Sequence, residues 1–387
     1  MVRVAHLADT HLGFRQYNLD ERERDVYDVM DEISDRILDE RASIVVHSGD
    51  LFDSSRPTAQ AYYAFKKFLS KLEGKVKVFS ILGDHDTPKR LGMPPQRLFE
   101  DRIQVLGVNG GEHQVLSLNG QDVLVAGVSH MGRRSRDVLT RELRRLGSLA
   151  AKCSISVLTL HQTIDRFFFI KELAELKLEE LPGNFRYYAM GHLHERIRAL
   201  HGLGELSYAG SPEIFRSSEI DEWLEHGKGF YIVDVEKEDV EVREVNVEGI
   251  RPQRKVRLSY VDFDRELKAL TGSLNRYGKI PILHITVEGR GVDRQRVYQA
   301  LNEALAGRVL RFRSELIEEA EEGPVELKLE GVNVYAALKE FLRDEKLVEF
   351  GYALFDALRL GEADEARRVA EQFYRGIGLG DSEEGAA

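Results

Sequence analysis

Seven acidic and imidazole side chains recur just after short apolar runs: Asp9 and His11, Asp50, Asp84, His161, and His192 with His194. Three aspartates and four histidines offer mixed oxygen and nitrogen donors without a thiolate. That set suits Mn²⁺, Fe²⁺ or Zn²⁺ better than a soft metal, and it is too rich in imidazole for a Ca²⁺ or Mg²⁺ cage. One tetrahedral ion cannot use seven donors. Two ions about 3.5–4 Å apart, bridged by a shared carboxylate, use them well. Such a pair clamps a phosphate and lowers the pKa of a bridging water. It also leaves His85, inside Gly83-Asp84-His85-Asp86, free as a proton donor.

The elements that must position these residues are short. The runs Val2–Ala8, Ser43–His47, Val76–Leu82, Val123–Val128, Ile155–Leu160 and Tyr187–Met190 predict buried strands by their brevity and β-branched content. Helical stretches at Glu23–Glu40 and Thr58–Leu72 alternate with the first three, the former with apolar residues at Val26, Val29, Ile33 and Ile37. Alternating strands and helices predict an α/β layered fold. In such sheets ligands collect beyond the carboxyl ends of strands, where the loops converge, so five strand ends would share one site. Gly110-Gly111 and Asn119-Gly120 read as hairpin turns, which would make part of the sheet antiparallel.

A hairpin-like stretch, Phe230–Val247, follows the loosening glycines Gly227 and Gly229. Strand, helix, strand and helix then recur at Lys255–Val261, Arg265–Leu274, Ile280–Val287 and Arg294–Ala306, enough for a small α/β domain. The acidic run Glu315–Glu322, closed by Gly323-Pro324, reads as a hinge. Beyond it, Val332–Tyr374 holds two or three helical stretches before a polar tail. Their apolar faces comprise Val334, Leu338, Phe341 and Leu342, then Leu347, Phe350, Leu354 and Leu358, then Val369 and Phe373.

A length of 387 residues, 42% of them hydrophobic, predicts two or three domains and excludes wholesale disorder. No apolar run approaches the ~18 residues of a membrane span, and no signal segment opens the chain. The single cysteine, Cys153, points to a reducing cytoplasm. A net charge of −11 excludes a basic nucleic-acid coat but not a local basic groove. Met131–Lys152 carries Arg133, Arg134, Arg136, Arg141, Arg144, Arg145 and Lys152 against Asp137 and Glu142. It reads either as a solvated helix face or as a phosphate-contacting surface. Lys89 and Arg90, just past the third motif, are better placed to meet a nucleic-acid backbone. Phe167, Phe168 and Phe169 read as core or interface.

The motifs Asp9-Xaa-His11, Gly49-Asp50, Gly83-Asp84-His85-Asp86, His161 and Gly191-His192-Xaa-His194 resemble the five signatures of calcineurin-like metallophosphoesterases. Their surroundings, "HLADTHLGFRQYN", "HSGDLFDSSRP", "LHQ" and "YYAMGHLHER", with "AGSPEIFRSSE" and "GKGFYIVDV" downstream, resemble the archaeal double-strand-break repair nuclease, the Mre-eleven family, whose bacterial relative is SbcD. The close resemblance covers roughly residues 1–235 and implies a two-sheet α/β sandwich metallophosphoesterase domain. A small α/β capping or DNA-binding domain over 236–320, a linker over 321–330, a helical ATPase-binding segment over 331–376 and a disordered tail over 377–387 would follow.

By position, the resemblance implies that Asp9, His11, Asp50 and His194 hold one manganese, and that Asp50, Asp84, His161 and His192 hold a second. His85 would be no ligand; it would protonate the leaving 3′ oxygen. The implied activity is a Mn²⁺-dependent 3′→5′ exonuclease on duplex ends and an endonuclease on single strands. The implied partners are DNA, a Rad-fifty-type coiled-coil ATPase and a second copy of the chain within a heterotetramer. Tyr62, Phe65, Phe68 and Leu69 of Ala61–Leu72, with Leu98 and Phe99 of Pro94–Glu100, are the candidate dimer anchors. Two positions depart from the family: Asp84 stands where asparagine is common, and Asp53 where a histidine often follows "GDLF".

One Asp-Xaa-His after a strand is an ordinary turn or cap; five donor-bearing strand ends in series are not. His6 and His47 lie inside apolar strands and read as satisfied core residues, and His130 at most supports the site. His113, His201, His226 and His284 carry no signal. Two competing classes remain. A phosphatase or phosphodiesterase for small substrates would need little of the chain beyond the catalytic domain. A non-catalytic adaptor for an ATPase would tolerate loss of ligands, yet all seven donors and His85 are present.

Overall fold

The computed structural model describes residues 1–89, 92–118, 120–168, 174–274, 277–318, 334–342, 345–359 and 369. Strands β1 (Val2–Leu7), β2 (Ile44–His47), β3 (Lys77–Ser80) and β4 (Ile103–Val105) run parallel to one another. The second sheet is built from β5 (Glu112–Leu118), β6 (Gln121–Val128), β7 (Ile155–His161), β8 (Tyr187–Gly191), β9 (Ile197–His201) and β10 (Gly204–Tyr208), in the order β5-β6-β7-β8-β10-β9. The chain then returns to the first sheet with β11 (Gly229–Val235) and β12 (Val240–Asn246), giving β12-β11-β1-β2-β3-β4.

The two sheets face each other. Val4, Ile44, Val46 and Phe79 of one interdigitate with Val123, Val125, Ile155 and Val157 of the other. Helices α1 (Asp20–Asp39) and α2 (Ala59–Leu72) cover the outer face of the first sheet. Helix α3 (Arg136–Ala150) covers the second through Leu139, Leu143 and Leu146. Burial on both faces is why the central strands read as continuous apolar runs. A short helix α4 (Ile220–His226) precedes β11.

A three-stranded parallel sheet follows: β13 (Gln253–Ser259), β14 (Ile282–Gly289) and β15 (Arg311–Glu318), with α5 (Phe263–Ser273) and α6 (Arg294–Leu305) packed on one face. Contacts divide the chain into two compact units, Met1–Glu319 and Ala320–Ala387. In the second, α7 (Val334–Phe341) and α8 (Glu345–Arg359) form a pair: Gly351 of α8 faces Leu338 and Leu342, and the rings of Tyr335 and Tyr352 meet edge-on at 5.5 Å. No helix among the described residues is long and apolar enough to cross a membrane.

Three expectations need correction. Gly110-Gly111 is no hairpin, because β4 and β5 belong to different sheets; the turn carries the chain across the sandwich. Asn119-Gly120 does join an antiparallel pair, β5 and β6, although Asn119 itself lies outside the described residues. Glu315–Glu318, read as the start of a hinge, lies inside β15, where Phe312 and Leu316 pack on the helices and Glu315 faces outward with Arg311 and Arg313. Finally, Phe65, Phe68 and Leu69, read as dimer anchors, are buried in the chain's own core at 2% exposure each, while Tyr63 and Leu98 are the exposed apolar residues there. In α8 the inward residues are Val348 and Ala357, and Leu347 is exposed. Arg90, Phe169, the 321–330 linker, Phe373 and the 377–387 tail lie outside the described residues.

Candidate metal centre

All seven candidate donors meet beyond the carboxyl ends of β1, β2, β3, β7 and β8. Ligand atoms of Asp9, His11 and His194 lie within 4.8 Å of one another, and so do those of Asp84, His161 and His192. Asp50 stands between the two trios: one carboxylate oxygen is 3.7 Å from His11 Nε2 and 3.5 Å from His161 Nε2. The loops are registered by backbone bonds, with Asp9 N on the Gly49 carbonyl at 3.1 Å and His11 N on the Asp50 carbonyl at 3.0 Å.

Backbone strain concentrates here. Asp9, His11, Asp50 and His192 all adopt positive φ (51°, 43°, 53° and 89°), a region non-glycine residues seldom enter and one that clusters at functional sites. Close approach fixes two neighbours as glycine. A Cβ on Gly83 would collide with the Asp50 carboxylate, and one on Gly49 with the His161 ring.

Surrounding acceptors decide which ring nitrogen faces inward. His161 donates Nδ1–H to the Ser48 carbonyl at 2.8 Å, and His194 donates Nδ1–H to Glu219 at 2.8 Å. Each therefore keeps Nε2 for the nest. His11 turns Nδ1 toward Asp53, at 3.3 Å, and Nε2 toward His194 Nε2, at 3.2 Å. His192 instead directs Nδ1 inward, 3.1 Å from both Asp84 Oδ1 and His161 Nε2.

The electrostatics fit divalent cations. Among the described residues, Asp9, Asp50 and Asp84 have imidazoles and no lysine or arginine as ion-pair partners. Burial opposes ionisation of Asp50 and Asp84, but the imidazoles of His161, His11 and His192 more than offset it and hold both carboxyls well below their usual range. Buried carboxylates balanced only by groups that can shed their protons are a ready cation nest.

Several contributors carried no signal beyond their motif neighbours. Asp86, fully buried, accepts from Gly83 N at 2.7 Å and Leu51 N at 2.8 Å, tying the second and third loops together. Burial and the nearby Asp50 charge push its carboxyl up to about 7. Asp53 faces both His11 and His85, and hydrogen bonding to it raises His85 to about 9. His130 bonds Glu175 at 2.7 Å and stacks on His192 at 5.8 Å. His6 is satisfied by Tyr187 and Ser48, as read; His47 bonds Thr10 through Nε2 at 2.9 Å, but its buried Nδ1 has no hydrogen-bond partner among the described residues.

A two-sheet sandwich with this donor nest at its strand ends defines a calcineurin-like phosphoesterase, and residues 2–196 match that family. Curated relatives narrow it. The chain is 36% identical over 288 residues to the DNA double-strand break repair protein Mre11 of Thermoplasma acidophilum, covering 73% of this chain and 76% of that one. With its namesake from Saccharolobus solfataricus it is 34% identical, over 78% and 79% of the two chains. The Methanococcus maripaludis protein of the same name aligns over 96% and 99%, at 28% identity. The chain belongs to the Mre11 family.

Proposed function

We propose that this chain is a metal-dependent DNA phosphodiesterase that trims the ends of double-strand breaks. The observation that carries the reading is the pair of donor trios meeting at Asp50, beside a histidine that need not bind metal. Two Mn²⁺ per subunit suit the mixed oxygen and nitrogen set, the first on Asp9, His11, Asp50 and His194, the second on Asp50, Asp84, His161 and His192. The chemistry such ions supply when bound is charge neutralisation on the phosphate and a lowered pKa for an attacking water.

The chain's own groups do the rest. Gly49 and Gly83 allow the loops to close around the nest, and Ser48, Glu219 and Asp53 hold imidazoles in register. His85, half exposed and held protonated by Asp53, stands ready to give its proton to the leaving 3′ oxygen. The family relationship supports 3′→5′ trimming of duplex ends and cutting of single strands, with the cytoplasm as compartment. It also supports a homodimer working in a heterotetramer with a Rad-fifty-type ATPase that docks on the C-terminal helices.

End-labelled duplex DNA and a small chromogenic phosphodiester, each assayed with Mn²⁺ and after chelation, test the substrate. Manganese-dependent shortening of the duplex is expected, and cleavage of the small ester alone would return the chain to small-substrate chemistry. Deleting residues 331–387 should leave cleavage intact and abolish co-purification with the ATPase.

A further inference from the structure

Helix α3 has two faces of different character. Leu139, Leu143, Leu146 and Ala150 are buried against the second sheet. The outward face and the tight turn Arg133–Ser135 that leads into it carry arginines, and they divide into two groups. Arg136 is bound to Glu180 at 2.7 Å, and Arg145 to Glu142 at 2.9 Å, so these two serve the fold. Arg134, Arg141 and Arg144 are exposed and make no close ion pair among the described residues; Arg141 feels only the more distant charge of Glu142, which Arg145 already holds. Asp137 is the one exposed acid between Arg134 and Ala150. The three together leave a surplus of exposed positive charge in a chain whose net charge is −11.

The ridge begins at the mouth of the metal centre. β6 ends at Val128 and delivers His130 against His192, with ring centroids 5.8 Å apart. Arg134 follows four residues later, and Arg144 lies about 15 Å farther along at ~1.5 Å per residue. Duplex DNA carries a charge every ~1.7 Å of its axis, so a ridge of that length meets several phosphates. Guanidinium forks bind phosphate oxygens in pairs and read no sequence, which suits a ligand of arbitrary sequence.

We infer that the exposed ridge formed by Arg134, in the turn before α3, and by Arg141 and Arg144 of α3 is a DNA-backbone track that holds the duplex beside the metal centre. The inference rests on the DNA phosphodiesterase reading and adds a binding surface to it.

The test uses the full chain, a fluorescent 30-base-pair duplex and chelator to prevent turnover, with affinity read by anisotropy across a potassium chloride series. Replacing the three residues together (Arg134→Ala, Arg141→Ala, Arg144→Ala) should weaken binding at least tenfold at low salt. It should also flatten the log–log salt slope by ~2.7, about 0.9 per lost contact. A triple lysine variant should keep most of the slope, and metal-dependent turnover of a small chromogenic phosphodiester should stay at the wild-type value in both. Unchanged DNA affinity and slope in the alanine variant would overturn the track and leave the ridge to an acidic protein. Loss of small-ester turnover would make the ridge structural and overturn it as well. A wild-type chain that cleaves no DNA would instead sink the functional reading, whatever the ridge does.

Discussion

The backbone carbonyl of Asp53 lies 3.1 Å from Nδ1 of His85, and its carboxylate lies 3.5 Å from the same nitrogen. With Nδ1–H engaged by its neighbour, the ring has Nε2 left for substrate. His85→Gln should therefore keep metal content near wild type while cutting DNA cleavage by about 10²–10⁴-fold, the usual worth of general acid catalysis. Metal analysis of the purified variant beside its rate decides the matter. Metal loss equal to that of His161→Ala would make His85 a ligand.

Glu219 acts one step behind the nest. Its Oε1 accepts from His194 Nδ1 at 2.8 Å, while Oε2 lies 3.3 Å from Lys228 Nζ and accepts from Phe215 N at 3.1 Å. Glu219→Gln removes the charge that orients His194, so Mn²⁺ affinity should fall about 10–100-fold with the fold intact. Calorimetric titration reads this directly, and wild-type affinity would show that His194 needs no such anchor.

Asp84 is the family departure with most at stake. Its Oδ1 lies 3.2 Å from His161 Nε2 and 3.1 Å from His192 Nδ1. An amide oxygen is a weaker but usable donor. Asp84→Asn should thus raise the Mn²⁺ concentration needed for half-maximal rate and still cleave at saturating metal. An unchanged metal requirement would mean that the extra charge is idle.

Legibility in the sequence tracked burial and periodicity. β1, β2 and β3 read plainly because burial on both faces makes them short, mostly apolar and rich in β-branched residues. β15 did not, because an edge strand with charged residues on its open face has the composition of a linker and reveals itself only by Phe312 and Leu316 packing inward. Gly110-Gly111 misled because a glycine pair announces a turn without saying which sheet comes next. The seven donors were visible as types at strand ends. Asp86 and Glu219 gained their roles only through tertiary contact, with Leu51, 35 residues from Asp86, and His194, 25 from Glu219. No local pattern encodes such pairs.

The last prediction concerns the joint between the sandwich and the three-stranded domain. Asp25 of α1 binds Arg22 Nη1 at 2.7 Å, Arg251 Nε at 2.6 Å and Lys279 Nζ at 3.0 Å. Arg251 and Lys279 come from the segments leading into β13 and β14, so one carboxylate joins three parts of the chain. Burial opposes its ionisation, but the Arg251 and Arg22 guanidiniums more than offset that and hold the carboxyl below its ordinary range. Asp25→Asn would leave two mostly buried guanidiniums short of an anion, and breaking such a cluster typically costs about 3–5 kcal/mol. Glu213, 3.2 Å from Arg22, also pairs with that guanidinium, but among the described ion pairs it reaches neither Arg251 nor Lys279. A depressed carboxyl stabilises the fold fully above its unfolded pKa and loses that contribution as pH falls through the folded value. Urea unfolding should therefore show a large gap between wild type and Asp25→Asn at pH 7, narrowing as pH drops below the ordinary carboxylate range. Equal stability at pH 7 would mean that the joint is held by apolar packing and that the ion cluster is incidental.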